Sequence, residues 1–483
     1  MSKKSKDMSQ NAKVGFGEHL AYGIGGGFAT NAVNLFIGAF LIVYLTEIMK
    51  INPGVAAGIV GVSKFLDGIS DLIAGRIIDK THSKFGKARV WLLRMIPCTV
   101  ISLLLLYLMP SSLTGTAQIV YVFVMYSLVS TGCYTFSYVA FMALNGLMTT
   151  NQKSRGLNGG INMVGNVIAS LLGNATIITA LKLLSSDPSF SPYGDRTGWI
   201  KLLVIWMIVG MLAQVLIVFG TRERVIENAG KDDGKESKKA EVSVFTTLKA
   251  LFKNKYWIYN IIIAVVIQFL MGATGSTTSY YMTYVVGDAE FYQVFSTANS
   301  LAMLGFMLVG FPIMAKLGKR NAVLGGLIIR GIGTLLPLFS NAKPILLVAG
   351  VIGGAGYGIA GCAFASIIQD TLTYGEWKNG YSMIGMGNAA NSFAGKIGNS
   401  LGTIVLGLVM NASGYVAGAA QQTASALIGF KVMFIFLPAA MIVLAIVAAA
   451  LYDLDKIYPQ IAADLAEGKY APGVTVYGEK KES

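Results

Sequence analysis

The chain has 483 residues, of which 54% are hydrophobic and only 13% are charged. Soluble domains carry about 25% charged residues, so the composition excludes an ordinary soluble protein and indicates a membrane protein. The formal net charge of +14 could indicate a nucleic-acid partner, but the distribution of the basic residues described below argues against one.

About twelve apolar runs follow one another along the chain. Each is long enough to cross a bilayer as a helix, which takes about 20 residues. Their length favours helices over the short alternating strands of a membrane barrel. We therefore predict an all-α membrane protein with twelve transmembrane helices surrounded by lipid. The runs cover residues 20–46, 54–78, 91–110, 117–147, 158–184, 200–221, 256–286, 292–316, 322–340, 343–370, 383–410 and 424–452.

Three polar segments divide the chain. Residues 1–19 are polar and lack the small-residue cleavage site of a signal peptide. Residues 222–255 form the longest polar stretch between apolar runs and separate six predicted helices from six. We therefore predict an N-terminal tail, a first half, a linker, a second half and a C-terminal tail, at residues 1–19, 20–221, 222–255, 256–452 and 453–483.

Lysine and arginine concentrate in alternate loops. They are frequent in both tails, in "DKTHSKFGKAR", "NQKSR" and "KLGKR", and in the linker, whereas "GDAEF" between the seventh and eighth runs has none. Short loops rich in Lys and Arg stay in the cytoplasm. We therefore predict a multi-pass protein of the inner (plasma) membrane with both termini and the linker in the cytoplasm. The basic excess is a topology signal and indicates no nucleic-acid partner.

The second predicted helix contains "SKFLDGISDLIAG", in which Lys64, Asp67 and Asp71 share one face. A charge at the bilayer centre is costly, so this face is expected to point inward. Two carboxylates with hydroxyl groups nearby suit a small hard cation such as sodium, which prefers oxygen ligands. Alternatively, one carboxylate carries a proton. A third possibility is an internal salt bridge that only fixes the helix to its neighbours.

The tenth and eleventh helices add three further candidates. Glu376 and Trp377, in "TYGEWK", lie at the predicted end of the tenth helix and suit a gate or a structural loop. Lys396 lies within the eleventh helix, where an ammonium group needs a partner. Its predicted partners are Asp67 or Asp71. The sequence contains no catalytic triad and no metal-ligand cluster, so we predict neither an enzyme nor a cofactor.

Two segments carry a family resemblance. "KFLDGISDLIAGRIIDKTHSKFGKARVW" and "QDTLTYGEWKNGYSMIGMGNAANSFAGKIGNSLG" are similar to the glycoside–pentoside–hexuronide:cation symporters of the major facilitator superfamily. The resemblance implies two six-helix halves and a monomeric secondary transporter. Such a transporter couples entry of a sodium ion or a proton to uptake of a glycoside, oligosaccharide or hexuronide by alternating access.

The resemblance also implies roles for individual residues. Asp67 and Asp71 match the two carboxylates that bind the coupling cation in the family, and Ser70 and Thr135 match polar residues that complete a sodium site. Lys396 matches a lysine near that site. Together with Lys64, it is expected to balance the negative charge of the aspartates.

The sugar site departs from the family pattern. Where the best-studied member reads its sugar with two aspartates and an arginine, this chain has Thr30 (beside Asn31), Tyr138 and Asn162. With Asn34, these residues are the predicted sugar ligands, and they imply a different sugar. The asparagines could equally hold helices together, since both uses are common in membranes.

Two other functions stay open at this stage. One is a lipid or amphiphile carrier with the same fold, against which the asparagines of the first and fifth helices argue. The other is a membrane sensor that binds sugar without transport. The short linker and tails argue against a signalling domain.

Overall fold

A computed structural model describes residues 13–149, 151–225, 243–381, 383–419, 421–467, 469–472 and 474. Within these residues all regular secondary structure is helical, with twelve long helices. Eleven are long and apolar enough to cross a membrane, and the other carries the charged stripe predicted above. They are α1 Phe16–Ile48, α2 Pro53–Asp79, α3 Lys87–Tyr107, α4 Gly115–Met148, α5 Gln152–Leu184, α6 Arg196–Gly220, α7 Lys255–Val286, α8 Phe291–Leu317, α9 Lys319–Leu338, α10 Lys343–Asn379, α11 Ile384–Ala412 and α12 Ala424–Lys456.

The predicted all-α membrane fold is confirmed, with eleven of the twelve predicted helices long and apolar enough to cross a membrane and with differences at the helix ends. Two short helices, Val244–Lys253 and Tyr458–Ala466, lie in segments predicted as linker and tail. The helix α10 continues past its predicted end at residue 370 to Asn379. Parts of the predicted tails and linker, at residues 1–12, 226–242 and 475–483, lie outside the described residues.

Four membrane helices contain a π-helical stretch. These are Tyr44–Ile48 at the end of α1, Leu128–Tyr134 within α4, Tyr281–Val286 at the end of α7 and Val432–Phe436 within α12. A π turn holds an extra residue, which changes the direction of the side chains on it, and such turns occur frequently at functional sites. The first three position residues discussed below.

Glycines allow α1 and α5 to pack in close contact. A Cβ atom added at Gly27 would overlap the backbone of Gly165, and one added at Gly165 would lie 2.6 Å from the carbonyl oxygen of Gly23. Small residues at these positions let two membrane helices approach closely. The glycines of the first helix therefore serve packing.

Replacing Gly27 with alanine is expected to destabilise the protein, because the added methyl group forces α1 away from α5 at a point where the neighbour is backbone and cannot yield. Overpacking of this kind costs about 1–3 kcal/mol. Thermal unfolding in detergent measures the effect. Gly17→Ala in the same helix is the control, since nothing lies within 4 Å of the added Cβ. Equal melting temperatures for the two variants would contradict the packing account.

The described residues form two compact units. The first holds α1 to α6 together with Gly275–Val294 and Thr403–Phe430. In this unit Tyr22, Ile78 and Leu144 belong to one buried apolar cluster. The second holds Phe295–Gly402 and the remaining described residues from 243 onward. Its core includes the buried residues Tyr256, Ile263, Ala363, Ala445 and Tyr452. The division into 20–221 and 256–452 in chain order stays a prediction.

Candidate functional site

The carboxylate of Asp67, on α2, is held by two hydroxyl groups of α4. Ser130 Oγ donates to Asp67 Oδ2 at 2.7 Å, and Thr131 Oγ1 donates to Asp67 Oδ1 at 2.6 Å. An ionised carboxylate only accepts hydrogen bonds, so two donating hydroxyls favour its charged form. Asp67 is half-buried and Ser130 is buried. The sequence-based candidates included Asp67 but neither of its two partners.

The π-helical stretch of α4 explains why two consecutive residues reach one carboxylate. Successive side chains of a regular α-helix point about 100° apart, given 3.6 residues per turn. Ser130 and Thr131 lie inside the stretch Leu128–Tyr134, where the wider turn narrows that angle. The signal available in the sequence was the adjacent Ser-Thr pair within an apolar run.

Ser70 and Thr135 join the same cluster. Ser70 Oγ donates to the backbone oxygen of Asp67 at 3.0 Å and to Thr135 Oγ1 at 3.4 Å. Asp71 is half-buried one turn further along α2, and it interacts electrostatically with Tyr134 and Tyr138. The structure thus brings Asp67, Ser70 and Thr135 together. Carboxylate and hydroxyl oxygens form a donor set that fits a hard cation.

Lys64 lies at the other end of this cluster. Its ammonium group donates to Thr403 Oγ1 of α11 at 3.5 Å and interacts electrostatically with Asp67. Charge balancing by Lys64, expected from its position on the stripe, stays a prediction that this interaction supports. Lys396 is half-buried on α11 and belongs to the second unit. Its pairing with Asp67 or Asp71 stays a prediction.

Three predicted sugar ligands surround Tyr134. Asn34 Nδ2 donates to the Tyr134 hydroxyl at 2.8 Å, and the Tyr134 and Tyr138 rings stack with centroids 5.9 Å apart. Thr30, Tyr134 and Tyr138 line a crevice of about 30 Å³ between α1, α3, α4 and α6. Such a volume holds about one or two water molecules and is too small for a sugar. Thr30, Asn34, Tyr134 and Tyr138 are called the Tyr134 group below.

Asn31 and Asn162 instead hold α1 and α5 together. Asn31 Nδ2 donates to Asn166 Oδ1 at 2.9 Å and to the Gly27 carbonyl at 2.9 Å. Asn162 Nδ2 donates to the Gly23 carbonyl at 3.3 Å and its side-chain oxygen accepts from Asn166. Their amide donors are thus used between helices, which was the alternative to sugar binding. Sugar binding by Asn31 and Asn162 stays a prediction, and the proposal below does not depend on either residue.

The predicted gate residues lie on the extended end of α10. Trp377 Nε1 donates to Asp464 Oδ2 of the helix Tyr458–Ala466 at 3.0 Å, and its ring packs against the core of the second unit. These contacts support a structural role for Trp377, and gating by Trp377 or by the half-buried Glu376 stays a prediction.

The long membrane helices of the described residues, with a cluster of carboxylate and hydroxyl groups between α2 and α4, fit a secondary membrane transporter. A family model described as MFS/sugar transport protein matches residues 21–456, so the chain belongs to this family of the major facilitator superfamily. It is similar to the isoprimeverose transporter of Lactiplantibacillus pentosus, with 29% identity covering 95% of this chain and 92% of that protein.

Two further similarities agree with this family. The glucuronide carrier protein homolog of Escherichia coli (strain K12) is 24% identical, over 89% of this chain and 91% of that protein. The crystal structure of a D-xylose-proton symporter aligns with a TM-score of 0.60 at 14% identity, covering 88% of this chain and 97% of that one. The latter similarity supports the fold.

The resemblance to the symporter family, the major-facilitator fold and the transport function are therefore confirmed. The chain is a multi-pass membrane transporter for sugars and is not an enzyme. A lipid carrier of the same fold and a sugar sensor without transport are not favoured.

Proposed function

We propose that this transporter couples entry of a sodium ion, bound at Asp67 and Asp71, to uptake of a neutral glycoside by alternating access. The observation that carries the proposal is the clustering of Asp67 with the hydroxyls of Ser130 and Thr131, at 2.7 and 2.6 Å. These three side chains, from α2 and α4, supply oxygen ligands for a cation within two largely apolar helices. A proton is the alternative coupling cation, and the tests below separate the two.

Sodium is favoured over a proton by the number of oxygen groups. A proton needs a single carboxylate, whereas a hard metal cation needs several oxygen ligands. Asp67, Ser70, Thr135 and the hydroxyls of Ser130 and Thr131 supply them. When sodium enters, the hydroxyl groups can turn their oxygen lone pairs from the carboxylate to the ion, because a hydroxyl group both donates and accepts.

Coupling to sugar follows from the position of Asp71. Its charge acts on Tyr134 and Tyr138, and Tyr134 accepts a hydrogen bond from Asn34. A cation that neutralises Asp71 changes the field at the same hydroxyls that face the candidate sugar site. Cation and sugar then strengthen each other's binding reciprocally, typically by about 1–3 kcal/mol. The loaded halves rock about the site, as in related transporters.

The membrane orientation follows from the basic loops. We place both termini and the linker in the cytoplasm of a plasma-membrane protein that functions as a monomer in lipid. Loops rich in Lys and Arg remain on that side. The end of α1 near residue 47 then faces outward.

The hydrogen-bonding groups of the Tyr134 group favour a neutral glycoside as the substrate. Hydroxyl and amide groups donate and accept hydrogen bonds, as sugar hydroxyls also do, and Thr30, Asn34 and Tyr138 supply both kinds. A relative is named as an isoprimeverose transporter. Counterflow in vesicles containing the purified protein tests this: isoprimeverose should exchange faster than a glucuronide, and more so with sodium. Preferential exchange of the glucuronide would contradict a neutral substrate.

Replacing Tyr138 with phenylalanine is expected to weaken sugar binding about 2- to 10-fold, because one hydrogen bond contributes about 0.5–1.5 kcal/mol. Cation binding should change little. Equilibrium binding of radiolabelled sugar measures the loss. Tyr121→Phe on the same helix is the control, since the Tyr121 hydroxyl bonds to the Leu105 carbonyl, away from the site. Equal affinities of the two variants would remove Tyr138 from the sugar site.

A further inference from the structure

Glu47, near the end of α1, is a fully buried carboxylate that the mechanism above does not use. Its side chain is 0% exposed. It accepts hydrogen bonds at Oε1 from the hydroxyls of Tyr284 and Tyr415 and at Oε2 from the backbone N–H of Gly418 at 3.0 Å. All of these residues belong to the first unit. Three donors from two separate parts of the chain converge on one carboxylate.

The partners of Glu47 come from the second half of the sequence. Tyr284 lies in the π-helical end of α7, and Tyr415 and Gly418 lie in the connection from α11 to α12. Glu47 itself lies in the π-helical end of α1. The neighbouring Thr46 hydroxyl contacts the Tyr280 hydroxyl at 2.5 Å. Glu47 is therefore the centre of a polar contact that joins the first half of the chain to the second.

Lys50 adds a positive charge next to this contact, and its backbone is strained. Its φ of 55° is left-handed, a conformation that costs an L-residue energy. Its ammonium group interacts electrostatically with Glu47. A Cβ atom at Gly418, whose φ is +71°, would overlap that ammonium group. Strain of this kind persists where the surroundings enforce it, commonly at functional sites.

A permanent junction would be served better by apolar side chains. Replacing a buried charged cluster with well-packed hydrophobic residues is often neutral or stabilising. Carboxylate, hydroxyl and ammonium groups differ in that water solvates them well when the contact opens. The polar composition therefore suits a contact that forms and separates repeatedly.

We propose that Glu47 is the latch that closes the outer entrance of the transporter and releases it in each cycle. The proposal rests on the alternating-access function and on the membrane orientation proposed above. Glu47 acts through position, since it sets the balance between the closed and open outer face and does not contact the sugar.

Distance measurement by double electron–electron resonance tests the latch. Nitroxide labels at Leu183 and Val416, whose side chains are 82% and 57% exposed, report the separation of α5 from the connection after α11. The labels require a full-length protein in lipid nanodiscs without its native cysteines, Cys98, Cys133 and Cys362. In the labelled protein that retains Glu47, we expect most molecules to show the short distance between the two labels.

Glu47→Gln is expected to raise the ratio of long to short distances about tenfold, which corresponds to about 1.4 kcal/mol. A glutamine whose oxygen faces the tyrosines turns its NH₂ group, a donor, toward the Gly418 N–H. Glu290→Gln is the matched control. It removes the Lys182–Glu290 pair of 2.9 Å, which also joins the two halves of the sequence but has side chains 35% and 53% exposed. It should leave the distances unchanged.

Tyr415→Phe removes a single donor and provides a variant with less risk to folding. It should shift the distances in the same direction and by less. Both variants should bind external sugar more tightly while their maximal transport rate falls, because a larger open population raises apparent affinity. A merely structural role would not raise affinity.

Unchanged distances in Glu47→Gln and Tyr415→Phe would overturn the latch, as would equal shifts in Glu290→Gln. The distance readout needs no sugar, so failure of the proposed function is distinguishable. A protein that transports no glycoside but shows the expected shifts would support the latch and remove the proposed function. If the protein transports glycoside but the variants show no shift in distance, the proposed function stands and the latch is overturned.

Discussion

The Asp67→Asn variant is expected to lose cation-driven accumulation of sugar completely. The amide carries no charge, and it replaces one of two carboxylate oxygens with a donor that cannot bind a cation. Loss of one interaction with a charged group costs about 1.5–3 kcal/mol, so cation affinity should fall about 10- to 100-fold. Sugar uptake into vesicles with an imposed sodium gradient measures the effect.

Exchange of sugar at equilibrium should survive in Asp67→Asn, since exchange needs no net cation movement. Asp187→Asn is the control: it makes the same chemical change in an exposed loop, where the carboxylate bonds only to the nearby Ser189. If Asp67→Asn still concentrates sugar against a gradient, Asp67 is not the coupling residue.

The Lys64→Met variant is expected to have the second largest effect. Methionine has a similar length but leaves Asp67 and Asp71 without the ammonium group that interacts with Asp67. The excess negative charge should lower the yield of folded protein and reduce transport by at least about tenfold, because the half-buried carboxylates lose a positive charge that offsets them. Yield, melting temperature and initial uptake rate measure the loss.

Combining Lys64→Met with Asp67→Asn should restore folding in part, because the second change removes the negative charge that the Lys64 ammonium group offsets. A double-mutant cycle on the melting free energy should show a coupling of about 0.5–3 kcal/mol. Lys201→Met is the control, since Lys201 is exposed on α6 and bonds to the Leu184 carbonyl. Additive effects of the two changes would show that Lys64 balances another group.

The twelve helices and the face of α2 could be predicted from sequence because their signals are local. Each apolar run fixes a helix by length alone. Three charges at helical spacing on one apolar run predict that Asp67 points inward. Ser70 lies about one turn later, so it is predicted to lie on the same side of the helix. The contact of Ser70 with Thr135 was expected only from the family resemblance.

Other parts of the site have no local signal. Ser130 and Thr131 reach Asp67 together because α4 contains a π turn, which the pattern of apolar residues does not reveal. The interhelical role of Asn31 and Asn162 depends on the backbone of a second helix. An asparagine that joins two helices and an asparagine that binds sugar show the same pattern in the sequence.

Glu47 shows the same limit at longer range. The first apolar run was predicted to end at residue 46, which placed Glu47 outside the membrane helix. Its burial results from Tyr284 and Tyr415, more than 200 residues away in the chain. The tertiary fold brings these distant donors to the carboxylate. From sequence alone, a buried Glu47 therefore cannot be distinguished from an exposed glutamate at the end of a helix.

Reciprocal coupling is the most direct test of cation–glycoside symport. In vesicles that contain the purified protein and have no imposed cation gradient, an inward gradient of isoprimeverose should drive uptake of radioactive sodium, since linkage works in both directions. Asp67→Asn should abolish that uptake and leave sugar exchange intact. Sugar entry that moves neither sodium nor protons would contradict symport, and acidification of the vesicle lumen without sodium uptake would assign the coupling to protons.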